Sequence, residues 1–229
     1  MKKIRLSNRL SAVVKYVPPG ASVIDVGSDH GFIPVYLAQE NIALKICASD
    51  INRGPLDAAR LAALEYGVAD MIEFVQTDGL SGISPGRFDT VIIAGLGGEL
   101  IASILGKALT LENGVRLILQ PQSKLGALCD FLNRGFEVLD ASLARDGGRI
   151  YIVLLAGGTA SRAAFCDLDI FRLLLKKRDS LLAEYLDSLI MREKSAVSNM
   201  LGSEAMRKKA QLKQDYINEL LKIRGDIEW

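Results

Sequence analysis

Residues 22–31, SVIDVGSDHG, constrain the fold more than any other stretch of this chain. Val23, Ile24 and Val26 are β-branched and apolar, which suits a strand buried on both faces, and Asp25 stands at its end. Gly27 and Gly31 bracket a short polar turn, after which IPVYLAQE reads as the first turns of a helix. Strand, glycine turn and helix form the opening of a doubly wound α/β domain. There a bare backbone approaches a ligand closely and a helix N-terminus offers unpaired N–H groups.

The turn departs from the dinucleotide pattern G-x-G-x-x-G, because Asp29 takes the slot of the second glycine. A diphosphate would meet a carboxylate there. Asp25 at the strand end is equally foreign to a phosphate site. Both suit a cationic ligand that carries an amino group and a ribose. S-adenosyl-L-methionine has an ammonium, a sulfonium and no phosphate. On this stretch alone, a plain strand–turn–helix with two glycines of purely conformational purpose stays open.

Further along, the chain repeats the theme. KICASDI reads as a second strand ending in Asp50, where a ribose diol is held by a carboxylate in nucleotide-binding folds. Gly54-Pro55 opens a helix with proline near its first position, and Gly67 closes it. MIEFVQTDG is a third strand ending near Asp78, which is expected to accept from an adenine amino group. Carboxylates at three successive strand ends, Asp25, Asp50 and Asp78, lie along one edge of a parallel sheet. FDTVIIAGLGG gives a fourth strand with a bare backbone at Gly95, Gly97 and Gly98, and VRLILQPQ a fifth that ends in Gln120-Pro121-Gln122. Two amides beside a proline can read a base edge or hold a loop. The last two strands flank Asp146-Gly147-Gly148, a hairpin signal. Before the first strand, Ser7 caps a short helix, and Arg5 and Arg9 lie at its start. Charge pattern alone makes that pair a solvated face; the sharper reading is two cations at the mouth of an active site.

From Ser161 turn residues almost vanish. Apolar positions at helical spacing include Ile170, Leu174, Leu181, Tyr185 and Leu189, then Leu212, Tyr216, Leu220 and Ile223. One uninterrupted helix over 163–198 would run roughly 54 Å, so a helical hairpin or antiparallel coiled coil broken at 199–203 is expected. Lys176, Lys177 and Arg178, and Arg207, Lys208 and Lys209, decorate it. They read as a solvated face or as a phosphate-gripping arm.

Composition narrows the function. The formal net charge of +1 gives no global basic field, so any nucleic-acid contact comes from local patches. Cys47, Cys129 and Cys166 lack paired spacing, which argues against disulfides or a zinc site and fits a reducing cytoplasm. No apolar run approaches the roughly 20 residues of a membrane span, and the basic N-terminus lacks the apolar core of a signal peptide.

LSNRLSAVVKYV, DVGSDHGFIPVYL, ASDINRGPLDAA, TDGL, IAGLGG, LILQPQ and the GRIYIV hairpin together resemble the bacterial TrmK-type tRNA (adenine-N1)-methyltransferases, which modify position 22 of tRNA. The likeness spans essentially the whole chain. The amino-methyltransferase signature N/D-P-P-Y/F is absent, and IAGLGG stands in its place. The resemblance implies a Rossmann-like class I methyltransferase over 1–160, with a seven-stranded mixed sheet closed by an antiparallel hairpin, and a helical coiled-coil domain over 161–229. It implies S-adenosyl-L-methionine as cofactor and tRNA as partner, with no membrane and no metal; the oligomeric state is open, with a monomer preferred. Expected cofactor contacts are Asp25, Gly27, Ser28, Gly31, Asp50, Ile51, Asp78, Gly79 and Gly95. Asp29 and His30 are the catalytic candidates. Arg5, Arg9, Gly97, Gly98, Gln120, Gln122, Lys176, Lys177, Arg207, Lys208 and Lys209 are the substrate contacts. The rival functions are methylation of a small molecule or protein, and RNA binding by a non-catalytic relic of the fold.

Overall fold

The computed structural model describes residues 2–107, 114–158, 165–200 and 206–228. Its contacts divide the chain into two compact units, Met1–Ala164 and Phe165–Trp229. The expected boundary at 160/161 lies outside the described residues.

The first unit is built on strands β1 Ala21–Val26, β2 Ala43–Asp50, β3 Ile72–Gln76, β4 Thr90–Leu96, β5 Arg116–Pro121, β6 Glu137–Asp146 and β7 Arg149–Gly157. They form one sheet in the order β3-β2-β1-β4-β5-β7-β6. The first five are parallel, and β7 runs antiparallel to both β5 and β6. This is the expected seven-stranded mixed sheet of a Rossmann-like methyltransferase. Its centre is apolar on both faces: Val23 and Ile24 of β1, Ile92 and Ile93 of β4, and Leu117, Ile118 and Leu119 of β5 are fully buried. Strands covered on both sides need such runs rather than alternation. At the β6–β7 turn Gly147 and Gly148 both have positive φ, +53° and +75°, which a two-residue type I′ hairpin requires.

Helices α1 Asn8–Val14, α2 Phe32–Gln39, α3 Arg53–Glu65, α4 Gly98–Lys107 and α5 Leu125–Leu132 connect the strands. The Ser7 side chain caps α1 by accepting from the Leu10 N–H. Pro55 is the third residue of α3 rather than its first. It is tolerated there because the first four helical N–H groups have no intrahelical partner. Gly67, at φ +70°, terminates α3 as expected.

The second unit differs from the expected two-helix hairpin. Among the described residues it contains three α-helices: α6 Asp167–Lys176, α7 Leu182–Met200 and α8 Arg207–Gly225. The additional break follows α6, where Arg178 takes φ +54°. Arg178 N–H donates to the Leu175 carbonyl at 2.9 Å and Asp179 N–H to the Leu174 carbonyl at 3.1 Å. That is a Schellman cap with arginine in the position glycine usually takes. Part of the expected break at 199–203 lies outside the described residues; α7 continues to Met200. Phe171, Leu174, Leu182, Leu186, Ile217 and Leu220 are fully buried between the helices, whereas Leu212 is exposed. Polar links fix the directions. Tyr216 donates to Asp167 at 2.6 Å and Arg172 pairs with Glu219 at 3.7 Å, which sets α8 parallel to α6. Arg224 donates to Asp187 at 2.8 Å and Lys213 bonds Glu193, which sets α7 antiparallel to α8. No helix among the described residues is long and apolar enough to cross a membrane.

Candidate active site

The sheet order turns back on itself between β1 and β4, and in doubly wound sheets ligands bind at the carboxyl ends of the strands beside that point. The candidate residues gather there. Asp25 lies opposite Ala48 of β2, two residues short of Asp50; Asp50 lies opposite Gln76 of β3, two residues short of Asp78. The three carboxylates therefore descend along one edge as the periodicity implied.

The glycine turn is clamped to β2. The Ser49 carbonyl accepts from Gly27 N–H at 2.8 Å and from Ser28 N–H at 3.0 Å, and the Ser49 hydroxyl donates to the Asp25 carbonyl at 3.3 Å. Gly27 takes φ +74° to make this possible. Asp25 is 5% exposed. Burial pushes its carboxyl up from 3.8 to about 6, opposed by the nearby Ser28 hydroxyl and helped by the charge of Asp50. The Ser28 hydroxyl is itself buried and has no hydrogen-bond partner of normal geometry. Such a hydroxyl, beside Asp25 but without a bond of normal geometry, can turn to a polar ligand atom.

Beyond Ser28 the chain makes a single 3₁₀ turn, Asp29–Gly31, before α2. His30 holds φ +60°, unusual for a residue with a side chain, and Gly31 follows at φ +64°. A Cβ on Gly31 would stand 2.8 Å from the Ala59 Cβ, so glycine is required for α3 to pack here. Asp29 and His30 both project into solvent, their Oδ1 and Nε2 atoms 3.5 Å apart. The imidazole stacks on Phe32 at 5.6 Å between ring centroids, and Phe32 is 41% exposed. The strand-end pattern does not single out Phe32, although an aromatic residue directly after the loop glycine is a readable signal.

Asp50 is half-buried, and its Oδ1 accepts from Asn52 N–H at 2.8 Å. That bond orients the carboxylate and leaves Oδ2 open. Ile51 beside it is 56% exposed. Lys107 donates to the Oδ2 of Asp78 at 2.8 Å, with both side chains half exposed, so one carboxylate oxygen of Asp78 is engaged by a cation. Gly79 is buried, and a Cβ there would meet Ile104 at 2.8 Å; its role is close packing.

Gly95, a cofactor candidate, and the substrate candidates separate in the same way. Gly95, at φ +86°, lies where a Cβ would come within 3.5 Å of Arg9 Nη1 and 3.6 Å of Gln122 Nε2, so it belongs with the β4–β5 side of the edge. Gly97 stands by the Ser123 hydroxyl. Gly98 is buried against the Ser123 and Lys124 carbonyls, with its N–H bonded to Ser123 at 2.8 Å. Packing of the β5–α5 loop, not substrate, explains that glycine. Gln120 is fully buried and both ends of its amide are engaged: it accepts from Arg9 at 2.8 Å and donates to the Pro121 carbonyl at 3.1 Å. It does not read a base edge. Gln122 is exposed. Arg9 is no solvated face residue; it is half-buried and anchored, whereas Arg5 is exposed and joins none of these groups.

In the second unit Lys176 and Lys177 lie at the end of α6, beside the carboxyl end of α8, while Arg207, Lys208 and Lys209 open α8. Parallel packing of α6 and α8 therefore puts the two basic clusters at opposite ends, about 25 Å apart along the helix axis. They are two patches and not one.

Among the described residues no group of three or more His, Cys, Asp and Glu side chains could hold a metal. Residues 6–154 match a family described as a methyltransferase domain. The chain is 36% identical over 168 residues to the tRNA (adenine(22)-N(1))-methyltransferase of Bacillus subtilis (strain 168), covering 72% of this chain and 70% of that one. Among solved structures it is similar to the B. subtilis M1A22 tRNA methyltransferase TrmK, with a TM-score of 0.85 and 26% identity over 97% of this chain and 100% of that one. It is also similar to Streptococcus pneumoniae Sp1610 in complex with S-adenosyl-L-methionine, with a TM-score of 0.83 and 25% identity over 96% of this chain and 100% of that one.

Proposed function

The chain belongs to the methyltransferase-domain family and, within it, to the TrmK-type tRNA (adenine(22)-N1)-methyltransferases, and on that premise we infer that it methylates N1 of adenosine 22 in tRNA. The observation that carries the reading is the acidic, phosphate-averse edge made by Asp25 and Asp50 around a glycine turn with an orphaned buried hydroxyl at Ser28.

These residues fit S-adenosyl-L-methionine. Asp25, with the Ser28 hydroxyl beside it, holds the amino-acid end; Asp50, aimed by Asn52 N–H, takes the ribose diol; Ile51 covers the adenine. Bound there, the cofactor supplies an electrophilic methyl group on a sulfonium. N1 of adenine carries its own lone pair, so no strong base is needed first. The protein contributes proximity and alignment, with reacting atoms about 3–3.5 Å apart. Positive charge develops on the adenine as N1 is methylated, and the exposed carboxylate of Asp29 is placed to stabilise it. His30 and Phe32 form a stacked aromatic shelf beside Asp29, suited to the face of an adenine taken out of its helix. Extrusion is required because N1 is otherwise in the base-pairing edge. The second unit holds the rest of the tRNA through its basic ends, and a tRNA substrate supports a cytoplasmic reading.

The test is nucleoside mass spectrometry of unmodified tRNA incubated with the protein and cofactor. N1-methyladenosine mapping to position 22 is expected. A folded, cofactor-binding protein that leaves tRNA unmodified overturns the reading.

A further inference from the structure

Arg9 has a built seat. Its Nη1 donates to Gln120 Oε1 at 2.8 Å, and the second Gln120 bond, to the Pro121 carbonyl, fixes which way that buried amide points. Its Cζ lies 5.7 Å over the Tyr151 ring. Gly95 leaves open the space a side chain would take beside Nη1. A neutral amide, an aromatic face and a bare backbone thus orient the guanidinium without neutralising it. No carboxylate among the described residues stands within ion-pair distance of Arg9. Of its five N–H donors Gln120 accepts one, and the side chain is only half-buried, so the charge is not compensated and donors remain for a ligand.

The surroundings make that charge informative. Asp25, Asp29 and Asp50 line the β1–β2 half of the edge, and among the described residues no lysine or arginine pairs with any of the three. An RNA strand approaching this edge brings a phosphate at every nucleotide toward carboxylates. Arg9 stands on the opposite half, over β4 and β5, two strands from Asp50. A fixed, unpaired guanidinium in that place fits an anionic oxygen bidentately.

We propose that Arg9 clamps a backbone phosphate next to the methylated adenosine, and that Gln120 is the positioning residue that aims it. The proposal rests on the tRNA reading above. The other anion within the reaction is the cofactor's own carboxylate, and the measurements below tell the two apart.

The full-length protein and its variants are compared in steady-state methylation of unmodified tRNA, in equilibrium tRNA binding across a salt series, and in cofactor binding by calorimetry. Arg9→Ala raises the KM for tRNA about tenfold or more, the scale of one charge-assisted hydrogen bond. It also lowers the slope of log affinity against log salt by about one contact and leaves cofactor affinity unchanged. Gln120→Glu keeps the side-chain shape but sets a carboxylate on Arg9, and reproduces the loss of slope. Gln120→Ala raises the KM in the native background and adds nothing to Arg9→Ala. Arg9→Lys keeps the salt slope and still loses turnover, because an ammonium lacks the fork. Thermal melts accompany each variant, and Arg9→Ala decides the matter if the Gln120 variants fail to fold. An unchanged KM and slope in Arg9→Ala overturn the proposal. So does a fall in cofactor affinity with tRNA binding intact, which assigns Arg9 to the cofactor carboxylate. Wild-type protein that makes no N1-methyladenosine fails the function reading, whereas active wild type beside an equally active Arg9→Ala fails only this one.

Discussion

Asp25→Asn should stabilise the unliganded protein while weakening its hold on cofactor. Burial of Asp25 raises its carboxyl from 3.8 to about 6, so the folded protein binds that proton more tightly than the unfolded chain does. Each pKa unit corresponds to about 1.4 kcal/mol, so the ionised carboxylate costs the fold about 3 kcal/mol at neutral pH. An asparagine amide has a burial cost of its own, about 1 kcal/mol, moderated by the partnerless Ser28 hydroxyl within reach. The net gain is about 2 kcal/mol, or about 4–8 °C in Tm for a chain of this size. The sign also predicts a pH profile. As pH falls from neutrality through about 6 toward 4, the native carboxyl takes up its proton and this penalty disappears, so the Tm advantage of Asp25→Asn should shrink. Cofactor affinity should move the other way: native affinity falls below about pH 6, and the variant binds more weakly by about 1.5–3 kcal/mol at neutral pH. Melting curves at pH 7.5 and pH 5 with calorimetric titration of cofactor provide the assay. A variant less stable than the native protein at pH 7.5, with an unchanged pH profile, refutes the reasoning.

Asp50→Ala should weaken cofactor binding by about 1.5–3 kcal/mol in calorimetry while leaving tRNA binding unchanged. Asp29→Ala should reduce turnover with little change in Tm, because the carboxylate is exposed and touches only His30; a drop in Tm with full specific activity would make it structural. His30→Gly should raise Tm by relieving about 1 kcal/mol of left-handed backbone strain, yet reduce methylation because the stacked shelf is lost. Reversing Lys176 and Lys177, and separately Lys208 and Lys209, to glutamate should give distinct losses in tRNA salt dependence, since the patches occupy opposite ends of the second unit; identical effects would argue against two contacts.

The sheet was legible because fully covered parallel strands are apolar runs, and because their ends carry Asp25, Asp50 and the glycines. The β6–β7 hairpin was legible from Asp146-Gly147-Gly148, a sequence that favours a primed turn between two strands. Arg178 hid the extra break in the tail, since a Schellman cap is read from glycine and here main-chain bonds hold an arginine left-handed. Arg9 and Gln120 are far apart in sequence, and nothing local distinguishes an anchored arginine from a solvated one. The pairing of Asp78 with Lys107 is hidden for the same reason. Gly98 and Gly79 look like ligand glycines, but the atoms that require them belong to the Ser123–Lys124 backbone and to Ile104, which no short motif contains.

Those close-packed glycines divide the site into a foundation and a lip. At Gly31, Gly79 and Gly98 even one added methyl collides with a neighbouring element, so the chain has almost no freedom to vary there. Asp29, His30 and Phe32, which we propose face an incoming base, lie at the exposed rim of the loop. Divergence of the substrate, whether over evolutionary time or in directed selection, can therefore proceed by exchanging residues on the lip while the cradle beneath stays intact.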